Sequence, residues 1–107
     1  MALLKDILYK VSLQSVSGDM ETEVKLIAFD SRKVKSGTVF VAIRGTQVDG
    51  HDYIDVALKS GAIAIVCERL PKVLRSDVAY VEVKSTEEAL GIMASNFYDR
   101  PSSKLKL

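Results

Sequence analysis

Apolar residues recur at three- and four-residue steps at the start of the chain, at Leu3, Leu4, Ile7, Leu8 and Val11, with Lys5, Asp6 and Lys10 between them. That period predicts an amphipathic first helix whose charged side faces water. Ser17-Gly18-Asp19 breaks the pattern, and Val24 to Phe29 then alternates with β-branched and aromatic content, as a strand does. Thr38 to Ile43 is a near-continuous apolar run after Gly37, the signature of a central strand covered on both faces. After a polar loop from Arg44 to Asp52, the residues Tyr53, Ile54, Ala57 and Leu58 fit a short helix, closed by Gly61 at the left-handed cap position.

Ala62 to Cys67 and Val78 to Val83 read as two further strands, separated by a polar connection that contains Pro71. Ser85-Thr86-Glu87-Glu88 carries a capping-box pattern and starts a last helix, with Ala89, Leu90, Met93, Ala94 and Phe97 as its buried stripe and Arg100-Pro101 as its end. Lys104 to Leu107 then looks like another strand beginning, which predicts that the natural chain continues. The fold class expected from this order is α/β: a single small domain with a mixed or mostly parallel sheet of at least four strands covered by helices.

Composition changes this picture little. A chain of 107 residues that is 48% hydrophobic and 27% charged has enough apolar material for one core. Fifteen Lys and Arg against 14 Asp and Glu, a net charge of +1, give no field of the kind nucleic-acid binding needs. The charges at Lys5, Asp6 and Lys10 interrupt any signal-peptide core, and no segment reads as a membrane span. The expected setting is therefore cytoplasmic, with no nucleic-acid and no membrane partner.

With one cysteine and one histidine, the chain offers neither a zinc-type ligand cluster nor a Ser-His-Asp arrangement. Cys67 ends an apolar strand and reads as an inert core thiol, and His51 as a residue of a helix start. The six glycines match neither a dinucleotide fingerprint nor a P-loop. Two loops that leave probable strand ends remain: Asp30-Ser31-Arg32, and Arg44 through His51. Strand ends are where α/β sheets collect ligands, and Gly45, Gly50, Thr46, Gln47 and the amides of the helix start near Asp52 suit a polar, anionic one. A side-chain turn at Asp30-Ser31 and a capping turn at Asp49-Gly50 account for the same residues without any ligand. Arg32, Lys33, Lys35 and Arg44 read either as a phosphate clamp or as a solvated face.

The run from Phe29 to Ala42, with Asp30-Ser31-Arg32 at its head, resembles the opening motif of Mur ligase N-terminal domains. Gly45-Thr46-Gln47-Val48-Asp49-Gly50-His51-Asp52-Tyr53-Ile54, followed by Ala57, Gly61, Ala62 and Ala64, resembles the next block of the same family. Asn96 to Ser102, followed by Lys104-Leu105, is similar to the link that precedes the ATP-binding domain in the tripeptide-forming, MurE-type branch. The MurF-type branch shares the central blocks and usually lacks that link.

The resemblance implies a substrate-binding domain over residues 1–101 and the start of a linker or strand into a central domain over 102–107. It implies no catalytic residue and no metal in this stretch. Phe29 through its backbone, and Ser31, Thr46, Gln47 and Val48, would contact the UDP part of UDP-N-acetylmuramoyl-L-alanyl-D-glutamate. Thr46 stands where relatives place histidine, so its contact would run through the backbone. No cofactor is expected in this stretch; ATP and magnesium would serve the parent ligase, which adds meso-diaminopimelate or L-lysine in peptidoglycan synthesis. The other readings are a MurF-type N-terminal domain and a free-standing, non-enzymatic α/β binding module.

Overall fold

A computed structural model of the chain describes residues 2–45 and 48–98. Seven strands run in chain order: β1 (Ala2–Leu3), β2 (Leu13–Ser17), β3 (Glu23–Val24), β4 (Leu26–Ala28), β5 (Thr38–Val41), β6 (Ala62–Cys67) and β7 (Ala79–Val83). Three α-helices, α1 (Leu4–Ile7), α2 (Ile54–Lys59) and α3 (Thr86–Tyr98), and two 3-10 turns, Ser31–Lys33 and Gly50–Tyr53, complete it. β1 and β3 pair antiparallel by themselves, while the main sheet has five strands in the order β2-β7-β6-β5-β4. Its last four are parallel to one another, and β2 lies antiparallel on β7 at the edge.

The unbroken apolar runs are explained by burial on both faces of the sheet. Val39 and Val41 of β5, Ala64 and Val66 of β6, and Val81 and Val83 of β7 join Leu4, Ile7, Ala89 and Met93 in one core. The alternate residues Phe40, Ala42, Ile65, Cys67 and Tyr80 point the other way and pack with Ile54 and Ala57 of α2. The side-chain period of two thus splits each run between two cores, α1 and α3 covering one face and α2 the other. Gly61 fits the left-handed cap position, with φ +114°, and it lies so close to Ser36 that an added Cβ would meet that residue's Cα at 2.9 Å.

Three elements differ from the pattern. The single strand expected from Val24 to Phe29 is split: Val24 pairs in β3 with β1, and Leu26–Ala28 forms β4 of the main sheet. The first helix was expected to run from Leu3 to Val11, but α1 makes one turn, Leu3 belongs to β1, and Lys10 stands in the left-handed region at φ 71°. Asn96 of α3 explains how so short a helix is tolerated: its Nδ2 donates to the carbonyls of Ile7 at 2.8 Å and Tyr9 at 2.7 Å. Leu4, Ile7 and Leu8 are buried as the stripe required. Strand β2 has no counterpart in the pattern, because it is a mostly exposed edge strand and buries no alternating set. The apparent strand at Lys104 to Leu107 and the 101/102 boundary lie outside the described residues.

Candidate functional site

The parallel strands deliver their following loops to one edge of the sheet. β4 ends at Ala28, and Asp30 caps the 3-10 turn that follows, its Oδ1 accepting from the Arg32 amide at 2.9 Å. The Arg32 guanidinium folds back on the same carboxylate, Nε to Oδ1 at 3.0 Å and Nη2 to Oδ2 at 2.8 Å. That fork, together with the Arg32 amide, holds the Asp30 carboxyl down at about 2. Arg32 is thus engaged with its own loop, while its side chain stays exposed at the border of the cleft between the two loops.

After β5 the chain forms a tight loop. The Ala42 amide still donates to Val66 O at 2.8 Å, Arg44 bridges antiparallel to Asp49, and Gly45 and Gly50 donate to Val48 O and Ile43 O at 2.9 and 2.8 Å. Asp49 then caps the Gly50–Tyr53 turn. Its Oδ1 accepts from the His51 amide at 2.9 Å and from His51 Nδ1 at 2.7 Å, and its Oδ2 from Arg69 Nη2 at 3.3 Å. The His51 amide bond, ahead of the ring and Arg69, holds the Asp49 carboxyl at about 2. Because the Glu68 amide donates to His51 Nε2 at 2.9 Å, the ring proton belongs on Nδ1.

Between the two loops lies an open cleft of about 560 Å³, bordered by Phe29, Ser31, Val48, Gly50 and Tyr53, with the buried Phe40 contributing to its lining. Of the residues expected at a site, Phe29, Ser31 and Val48 line this one cleft; Thr46 and Gln47 lie outside the described residues. Phe29 is 62% exposed and Tyr53 41%, so two aromatic faces are available beside polar backbone. The sequence places Tyr53 and Phe40 in the helix and strand patterns and within the two family blocks, but nothing local in it singles them out as cleft residues.

The expectation that the helix start would offer free amides needs correction. Asp49 already takes the His51 amide with its carboxylate and the Asp52 amide with its carbonyl at 3.0 Å. The two turn readings hold as geometry, since Asp30 and Asp49 both cap their turns, and the cleft exists between them. Cys67 is fully buried, its thiol 3.7 Å from Val81 O, and burial pushes it up to about 12. Both ring nitrogens of His51 are committed to Asp49 and Glu68, so the Cys-His pairing that a nucleophile needs is not made. Among the described residues no group of three or more His, Cys, Asp or Glu is placed to hold a metal ion, and no helix is long and apolar enough to cross a membrane.

The two carboxylates give the site a defined acid limit. Each has a folded value near 2 against an ordinary 3.8, so each contributes stability that is fully present above about pH 4 and is lost as pH falls toward 2. Urea midpoints are expected to be flat from pH 7 to 5 and to drop below pH 4, and Asp49→Asn is expected to flatten part of that drop. An acid limb unchanged by Asp49→Asn would show that the cap contributes nothing to it.

The family model described as "Mur ligase family, catalytic domain" matches residues 23–98. Over 105 residues the chain is 53% identical to the UDP-N-acetylmuramoyl-L-alanyl-D-glutamate--2,6-diaminopimelate ligase of Cytophaga hutchinsonii, covering 97% of this chain and 22% of that protein. The enzyme of the same name from Bacteroides fragilis is 45% identical over 104 residues, covering 97% of this chain and 21% of that protein. The chain therefore spans about a fifth of the length of the curated relatives it matches. Among solved structures, UDP-N-acetylmuramoylalanyl-D-glutamyl-2,6-diaminopimelate--D-alanyl-D-alanyl ligase from Acinetobacter baumannii superposes with a TM-score of 0.78 at 22% identity, over 94% of this chain and 22% of that one, a likeness of fold. The MurF ligase of Thermotoga maritima, solved with ADP, gives a TM-score of 0.58 at 36% identity, over 77% of this chain and 17% of that one.

Proposed function

The chain belongs to the Mur ligase family, and from that membership we propose that it is the UDP-anchoring N-terminal domain of a MurE-type ligase, in which residues 1–101 bind the substrate and 102–107 lead into the ATP-binding central domain. The parent enzyme would join 2,6-diaminopimelate to UDP-N-acetylmuramoyl-L-alanyl-D-glutamate in the cytoplasm, using ATP and magnesium held elsewhere in its chain. The choice of diaminopimelate over lysine, and of the MurE over the MurF branch, is supported by the names of the relatives that are 53% and 45% identical.

The observation that carries the reading is the cleft at the ends of β4 and β5, where Phe29, Ser31 and Val48 meet. The exposed faces of Phe29 and Tyr53 suit a flat pyrimidine base, and the Ser31 hydroxyl together with the loop from Gly45 to Gly50 suits its polar edge and ribose. Thr46 and Gln47, in the same loop, complete the proposed contact set. Such a domain contributes by positioning. Holding the nucleotide far from the reacting carboxylate supplies binding and orientation that the distant chemistry uses, so the anchor carries no catalytic group and by itself forms no peptide bond.

Backbone amide shifts of labelled protein, followed during titration with UDP, with UDP-N-acetylmuramoyl-dipeptide and with ATP, test this directly. Shifts at Phe29, Ser31, Val48 and Gly50 are expected with both UDP ligands and not with ATP. Saturating millimolar UDP ligand without any shift at these residues would overturn the reading and favour a non-enzymatic binding module.

A further inference from the structure

His51 takes part in neither the cleft lining nor any nucleophile, yet its side chain is only 3% exposed and both ring nitrogens are bonded. We propose that His51 is a positioning residue that latches the cleft's second loop to the end of β6 and so sets the shape of the nucleotide site. On one side Nδ1–H meets Asp49 at 2.7 Å, and Asp49 bridges to Arg44 across the base of the loop. On the other, Nε2 accepts the amide of Glu68, the residue that follows β6 and lies 17 positions away in sequence. This far anchor is itself fixed, because Glu68 Oε2 accepts from the amide and hydroxyl of Thr86, in the first turn of α3, at 3.0 and 3.1 Å. A neutral imidazole with one donor and one acceptor is the only side chain that makes both bonds in this geometry with a rigid ring between them. The latch therefore runs from the loop that carries Val48 and Gly50, through the ring, to the C-terminal edge of the sheet.

The affinity part of this inference rests on the nucleotide reading; the latch itself does not, and the two are read separately. In His51→Ala, hydrogen exchange is expected to show lost protection at the Glu68 amide with protection kept at Val66, and the amides of Gly45, Val48 and Gly50 shifted. UDP affinity is expected to fall about tenfold, the size of one lost hydrogen bond. His51→Gln places an amide oxygen where Nε2 stood and is expected to recover most of the affinity, whereas His51→Asn mimics only the Nδ1 side and is not. Equal recovery by both would reduce the histidine to a local cap, and wild-type affinity in His51→Ala would overturn its role in shaping the nucleotide site. Should the wild type not bind UDP, the nucleotide reading fails, and unshifted loop amides with retained Glu68 protection in His51→Ala would then overturn the latch independently.

Discussion

Gly50→Ala is expected to destabilise the domain by about 2–4 kcal/mol and to abolish the UDP binding proposed for the cleft. A Cβ on Gly50 would sit 2.7 Å from the Ile43 nitrogen, 2.9 Å from its oxygen and 3.1 Å from Ala42 Cα. All three are backbone atoms of the segment that extends β5, which is held to β6 by the bond from the Ala42 amide to Val66 O. No side chain can rotate away to make room, so the loop must lift, and the bond from the Gly50 amide to Ile43 O is lost with it. The obstacle is steric close approach, not an unusual dihedral, so serine or any larger residue should behave no better. Gly91 is the control: it lies exposed on α3 with nothing within 4 Å of an added Cβ, and Gly91→Ala is expected to stabilise by about 0.5–1 kcal/mol through helix propensity. Urea midpoints of the two variants should therefore move in opposite directions, and a Gly50→Ala midpoint equal to wild type would refute the close packing of the loop on β5.

That contrast also shows what the sequence could and could not carry. The central strands were legible because burial on two faces leaves an unmistakable apolar run, as at Thr38 to Ile43 and Ala62 to Cys67, and Gly61 announced its helix end by local chemistry. The first helix was not: its period is real, but Lys10 in the left-handed region and the Asn96 amide at its end are tertiary facts 86 residues apart, and one turn with its neighbours buries the same Leu4, Ile7 and Leu8. Strand β2 escaped because an edge strand pairs through its backbone and writes no pattern into its side chains. Residue chemistry alone reached the two loops of the site, and the family resemblance supplied Phe29, Ser31 and Val48. Tyr53 and the His51 latch depend on which residues the parallel register brings alongside, and no local period encodes that.

Phe40→Ala is expected to cost about 3–5 kcal/mol, and Phe29→Ala no more than about 0.5 kcal/mol, although both phenylalanines border the same cleft. Phe40 is 1% exposed and packs in the core with Val34, Ile54, Ile65 and Tyr80, so truncation leaves a hole that strand backbone on either side cannot collapse into. Phe29, one residue beyond β4, is 62% exposed and has already lost most of what burial could contribute. For a domain of this size the Phe40 change should lower the melting temperature by about 15 °C or more, while Phe29→Ala melts with the wild type. Affinity should rank them differently. A base stacked on Phe29 is worth about 1–3 kcal/mol, so Phe29→Ala is expected to weaken UDP binding with no loss of fold. In Phe40→Ala, measured well below its melting point, any loss reflects the altered cleft wall. If Phe29→Ala bound UDP as the wild type does, the aromatic face would be excluded as the base platform, and the contact at this position would have to run through its backbone.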